Sequence, residues 1–241
     1  MFKVLIFFVL ILKFLNLKAH HKIYSPRVEE GRQSLEWRGH VNYDDRMEFN
    51  KTHHHVFETE YSWTDFWQSE LEFHVSDKAE TPLDWEKTEF QNQVQVFEYT
   101  HFAGALYFSY NFVSEGDEPD EIEYKYLNEF NNENLSFISN LIFEKGVGKG
   151  ATGSTTFDLS NQLMFKKLLN SNFGFGFLGF SNFGEVSNFN TFSLQKHLYG
   201  VQLENEFDLE NFEYEITLAY LHGLTDASTN HMFLWNMEFE F

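Results

Sequence analysis

The chain has 241 residues, 37 of them acidic against 17 basic, for a formal net charge of −20 at pH 7. That sign excludes a phosphate-binding surface, so nucleic acid is not an expected partner. The absence of cysteine excludes a disulfide framework and thiolate metal sites.

The first segment, "MFKVLIFFVLILKFLNLKA", has a lysine near its start, an apolar run from Val4 to Leu12 and a small residue at Ala19. The run is too short to span a bilayer as a helix, and the pattern resembles a secretory signal peptide, residues 1–19. Its removal takes three lysines and leaves 14 basic residues against 37 acidic ones. Residues 20–31, "HHKIYSPRVEEG", fit either a plug or a periplasmic segment.

From Arg32 to the end, residues 32–241, apolar and polar residues alternate with a period of two, the mark of strands with one apolar face. "SLEWRGHVNY" sets Leu35, Trp37, Val41 and Tyr43 against Glu36, Arg38, His40 and Asn42, and "EIEYKYLNEF" sets Ile122, Tyr124, Tyr126 and Phe130 against Glu121, Glu123, Lys125 and Glu129. Twelve strands are predicted, at 32–43, 53–63, 67–76, 86–99, 104–113, 121–130, 134–145, 154–167, 172–183, 191–207, 212–223 and 231–241. In "FGFGFLGF" the pattern predicts a switch of face at Leu178 and Phe180 near the glycines. Pro26, Pro82 and Pro119 all fall outside the strands, as their missing amide hydrogen requires. Tight connections ("TDF", "THFA", "NNE", "LLNSN", "DLEN") alternate with longer ones, so an up-and-down meander would gather the long loops at one end.

Alternation alone does not choose the inside. A soluble barrel points aromatics inward, and a membrane barrel points them at lipid. Strands of about ten residues suit a tilted membrane span, and aromatics such as Tyr43, Trp63, Trp67, Tyr99 and Trp235 concentrate near strand ends, where girdles form. The last nine residues, "FLWNMEFEF", place Phe233, Trp235, Met237, Phe239 and Phe241 on one face. This resembles the C-terminal signature of bacterial outer-membrane β-barrel proteins. The resemblance implies that these five residues form the closing strand and are read by the barrel-assembly machinery, with outer-membrane lipids around the barrel.

The fold expected is therefore all-β: a closed antiparallel up-and-down transmembrane β-barrel of about twelve strands in a Gram-negative outer membrane. With aromatics outward, the lumen receives Glu36, Glu58, Glu60, Glu70, Glu72, Glu89, Glu121, Glu123, Glu129, Glu144, Asp158, Glu204, Glu206, Glu213, Glu215, Glu238 and Glu240, against the bases Arg38, Lys125, Lys166 and Lys196. Bulky inward residues (Phe97, Tyr107, Leu127, Ile138, Ile142, Met164, Phe180, Leu198 and Leu221) predict a narrow or partly plugged passage. Such a lumen reads as a conduit for small cationic or neutral solutes. Two alternatives are a non-transporting structural or interaction barrel and an exported soluble barrel binding an apolar ligand.

No cofactor, catalytic residue or metal site is expected. In the run His53, His54, His55 the middle ring points opposite to its neighbours, so the three cannot converge. Twelve-stranded outer-membrane phospholipases carry a His-x-Ser-Asn-type motif; "HVSDK" at His74 is only a loose echo of it.

Overall fold

The structure, a computed structural model, describes residues 21–77, 81–114, 118–168, 172–209 and 212–241. The predicted leader, 1–19, and His20 lie outside the described residues. Twelve long strands form the wall: β1 (Gln33–Tyr43), β2 (His53–Ser62), β3 (Trp67–Ser76), β4 (Asp84–Glu98), β5 (Phe102–Val113), β6 (Asp120–Asn131), β7 (Leu135–Val147), β8 (Thr155–Phe165), β9 (Phe173–Glu185), β11 (Lys196–Leu209), β12 (Phe212–Gly223) and β13 (His231–Glu240). A two-residue strand, β10 (Asn188–Phe189), folds back on the end of β9 as a spur. Each long strand pairs antiparallel with the next, and β13 pairs with β1 over ten residues, from Ser34 opposite Glu240 to Tyr43 opposite His231. The sheet closes on itself, so no long strand keeps an open edge.

The period-two pattern sorts the faces without ambiguity. Phe57, Leu106, Tyr124 and Leu218 stand outside, each half exposed or more, while Glu72, Glu89 and Glu123 inside expose 0% of their surface. Apolar side chains therefore face outward, and carboxylates face the enclosed centre. Phe233, Trp235, Met237 and Phe239 occupy the outer parity of β13, and Phe241 follows it, its amide N–H donating to the carbonyl of Gln33 at 3.0 Å.

Four expectations need correction. First, β9 carries no switch of face: its odd positions point outward throughout, and Gly174, Gly176, Leu178, Phe180 and Asn182 point inward, in unbroken register with β11. The irregularity lies further on, where Phe183 is the extra residue between Asn182 and Gly184. Gly184 takes φ +86°, the left-handed backbone that such a bulge favours. Second, a bulge at Val96 in β4 reverses the predicted inward placement of Phe97. Its ring lies over Gly104, whose parity is that of the outward Leu106 and Phe108; a Cβ there would meet it at 2.5 Å.

Third, the predicted strand from 191 starts at Lys196, because 186–195 holds the β10 spur and a 3-10 turn (Phe192–Leu194). Phe189, Phe192 and Leu194 are exposed there, so their apolar character does not mark a wall. Fourth, the connection between β8 and β9 runs from 166 to 172, as long as the 77–83 connection at the opposite end. Long and short connections thus do not alternate strictly.

Candidate functional site: a filled acidic lumen

The register across neighbouring strands builds a feature that no single strand contains. Glu206 faces Glu215, Glu215 faces Glu238, Glu238 faces Glu36, Glu36 faces Glu58, Glu58 faces Glu72, and Glu72 faces Glu89. Seven glutamates on seven consecutive strands (β11, β12, β13, β1, β2, β3, β4) stand in one unbroken row, all on the inner parity. Beside it run the pairs Glu60–Glu70 and Glu213–Glu240 and, on the far wall, Glu123–Glu144. Like charges directly opposite in a sheet are destabilising, so the row requires cations.

Part of that charge comes from the wall. Arg38 donates to Glu36 and Glu58, and its Nη2 lies 2.6 Å from Glu72. Lys87 Nζ lies 3.3 Å from Glu89, and Lys125 Nζ 3.0 Å from Glu123. The rest comes from residues 21–32, which lead into β1. Lys22 Nζ sits 2.6 Å from Glu58, 3.4 Å from Glu36 and 3.8 Å from Glu70. Arg27 donates from Nε to Glu129 at 3.1 Å and also pairs with Glu98; Arg32 reaches Glu238 at 3.0 Å and pairs with Glu240. Of the two dispositions open for this segment, the structure shows the one inside the barrel.

The segment is held as a strand would be, by amides from the wall. Tyr24 N–H donates to Asn140 Oδ1 and Asn140 Nδ2 donates to the Tyr24 carbonyl, both at 2.9 Å. Gln93 Nε2 donates to the Ser25 carbonyl at 3.0 Å, and Val28 N–H to Gln95 Oε1 at 2.7 Å. The Tyr24–Asn140 pair is buried, and together these bonds satisfy backbone groups of a segment that has no sheet partner. Ser25 Oγ donates to Glu129 at 2.9 Å. Lys125 Nζ lies between the rings of Tyr24 and Tyr107, 3.9 and 4.0 Å from their centroids, a cation–π sandwich. Ile23 packs on an apolar patch of the opposite wall, formed by Leu178, Phe180, Leu198, Leu221, Met232 and Leu234.

Other predicted lumen residues lie nearer the rims. Glu121 and Glu129 follow the inner parity of β6, with Glu129 buried. Asp158 accepts from Asn182 Nδ2 inside β8, near Lys196 at the start of β11. Glu204, Glu206 and Glu215 approach one another with ligand oxygens within 4.8 Å. Glu213 and Glu240 face each other at the short-turn end. Lys166 stands just past β8, at the short-turn end, where its Nζ donates to Asn131 Oδ1 at 2.8 Å. Sequence reasoning missed Lys22, Arg27, Arg32 and Lys87 as interior cations. Lys87 shares parity with Glu89, and Arg32 with Glu36 at the start of the predicted strand 32–43, so both were legible; Lys22 and Arg27 precede that strand, where parity has no meaning.

No family model matches the sequence, and no curated protein matches it. Solved structures do match. The NanC porin superposes with a TM-score of 0.59 at 10% identity, over 86% of this chain and 98% of that one. The KdgM porin gives 0.55 at 11% identity, over 86% and 98%. The COG4313 outer membrane channel from Pseudomonas putida F1 gives 0.57 at 9% identity, over 88% and 96%. The chain has the fold of these barrels. At such identities the likeness is one of fold.

Proposed function

We propose that the chain is an outer-membrane β-barrel acting as a narrow passive channel for small cationic or neutral solutes, with its bore filled at rest by residues 21–31. The membrane reading rests on solvent chemistry. A closed sheet whose outside is Phe, Leu, Tyr and Trp and whose inside is glutamate is the reverse of a water-soluble barrel. In hydrocarbon a spanning sheet must pair every backbone group by closing, as this one does.

The single observation that carries the solute preference is the row of seven facing glutamates. Even with Lys22, Arg32, Arg38 and Lys87 beside it, the wall carries more acids than bases, and such an excess raises the local concentration of cations and disfavours anions. The KdgM porin has been solved in complex with oligogalacturonate, whose units are carboxylates. That charge is opposite to what the present lumen would attract, so an acidic oligosaccharide is not the proposed solute. The proposal carries no catalytic step.

The test is conductance in planar bilayers under a salt gradient, with the full chain and with a Lys22→Met/Arg27→Met variant that loosens the segment. The reading expects a reversal potential of the cation-selective sign and a larger conductance in the variant. A second reading, a barrel that spans the membrane without transport, is favoured by the many bonds holding the segment in place. Absence of conductance from both proteins would establish it. Anion selectivity would overturn the charge assignment.

A further inference from the structure

Above the glutamate row, toward the loop that joins β1 and β2, four imidazoles stand in line. His40, His54 and His74 occupy the inner parity of β1, β2 and β3, with His40 directly opposite His54 and His74 one pleat below the partner of His54. Ring centroids are 5.2 Å apart for His40–His54 and 5.3 Å for His54–His74, and His21 of the filling segment meets His40 at 4.8 Å. A cavity of about 30 Å³ lies among them, lined by His21, His40, His54, His74, Glu86 and Lys87 with neighbouring wall residues. That is room for one small ion or one water.

We propose that this cavity is a binding site for a single divalent transition-metal ion such as Zn²⁺, with His54, His74 and Glu86 as ligands. His54 Nε2 and His74 Nδ1 face each other at 3.3 Å. Two nitrogens on a tetrahedral zinc ion, each about 2.0 Å from the metal, stand about 3.3 Å apart, so these two already hold the edge of the required tetrahedron. A carboxylate oxygen of Glu86, which lines the same cavity, lies 3.8 Å from the same His54 nitrogen, and a change of its rotamer toward His74 would bring it to the third position. Two histidines and a glutamate, with the fourth position open to water, form a ligand set that zinc accepts.

Outer contacts fit the same assignment. His74 Nε2 lies 2.7 Å from Glu72 Oε2. A carboxylate there keeps the N–H on Nε2 and leaves the Nδ1 lone pair directed into the cavity, the arrangement that orients metal-binding histidines. Two cations also line this cavity, and each is balanced by carboxylates, Lys87 by Glu89 and Arg38 by Glu36, Glu58 and Glu72. His53 and His55 point outward and take no part.

The site can be tested on the full barrel in detergent, stripped with a chelator and titrated with Co²⁺ and Zn²⁺. Wild type is expected to bind one ion, with the visible d–d bands of a tetrahedral cobalt site, displaced by zinc. His54→Asn and His74→Asn should abolish the bands, Glu86→Gln should change them, and Glu72→Gln should weaken binding about 10- to 100-fold. The outer-face double variant His222→Asn/His231→Asn should bind as wild type. In the unmodified protein, cobalt should broaden the ring resonances of His54 and His74 and spare those of His222 and His231, which keeps the test decisive if an inner variant fails to fold. Failure to bind, binding that survives His54→Asn and His74→Asn, or binding abolished only by His21→Asn would each overturn the proposal.

Discussion

Replacing Lys22 with methionine is the most direct test of whether the N-terminal segment is a held plug. The ammonium touches three carboxylates, at 2.6, 3.4 and 3.8 Å. At an effective dielectric constant of about 20 the three attractions are about 6, 5 and 4 kcal/mol. Desolvation of four ions cancels most of this, and removing one partner of a buried pair typically costs about 3–5 kcal/mol. Because the cost falls on the seated state, the ratio of released to seated segment should rise roughly a hundred- to several-thousand-fold.

The chain lacks cysteine, so Ile23→Cys supplies a single label site at the point where the segment meets the apolar wall. A polar maleimide should react slowly with this variant alone and far faster when Lys22→Met is added. Adding Glu58→Gln to Lys22→Met should restore part of the protection, since one unpaired charge is removed. Equal labelling rates with and without Lys22→Met would refute the claim that ion pairing holds the segment.

Further outcomes follow from the outer face, a close approach and a loop. Leu218→Lys, at the middle of β12 on the outside, should cost about 2–4 kcal/mol in unfolding from phospholipid vesicles; a shift within about 0.5 kcal/mol would mean that this face meets water. Gly200→Val should lower stability by at least about 2 kcal/mol by chemical denaturation, because a Cβ there falls 1.8 Å from the Tyr220 carbonyl oxygen, which is backbone and cannot swing aside. In the loop after β1, Asp44 accepts from Arg46 N–H and Nε at 2.8 Å and from Nη2 at 2.7 Å, and from Asn230 N–H at 3.2 Å, while Arg46 Nη2 also reaches the Ser228 carbonyl at 2.8 Å. Burial pushes the Asp44 carboxyl up, but the bonds from Arg46 and Asn230 outweigh it and hold its pKa below the ordinary value. A depressed carboxyl stabilises fully above its unfolded pKa and loses that contribution as pH falls through the folded one. Hydrogen exchange at 44–50 should therefore accelerate on acidification below about pH 4, and Asp44→Asn should abolish the step.

Much of the wall was legible because side-chain parity is a local property. Val56, Phe57, Glu58, Thr59 and Glu60 announce their faces from sequence order alone, and the limits of β2, β3, β12 and β13 fall within a residue of expectation. Bulges break that locality: Val96 and Phe183 each shift the phase after them, which is why Phe97 was misplaced. Register is not local at all. Nothing in "SLEWRGHVNY" says that Glu36 will meet Glu58 on one side and Glu238 on the other, so the acid row was present as seven separate residues and invisible as a row. The histidines show the same limit. The run His53–His55 drew attention as neighbours in sequence, whereas the rings that meet are His40, His54 and His74 on three strands.

The wall is joined between β1 and β13, stretches some two hundred residues apart, and the join runs through the middle of the acid row at Glu36 and Glu238. Joining those two edges sets their carboxylates face to face, at the most sequence-distant pairing of the wall. The cations beside that seam, Lys22, Arg32 and Arg38, arrive from the residues just before and within β1. The cylinder's weld and its filling thus share one set of charges, and a cylinder deprived of its leading residues would lose two of the three cations that balance its own seam.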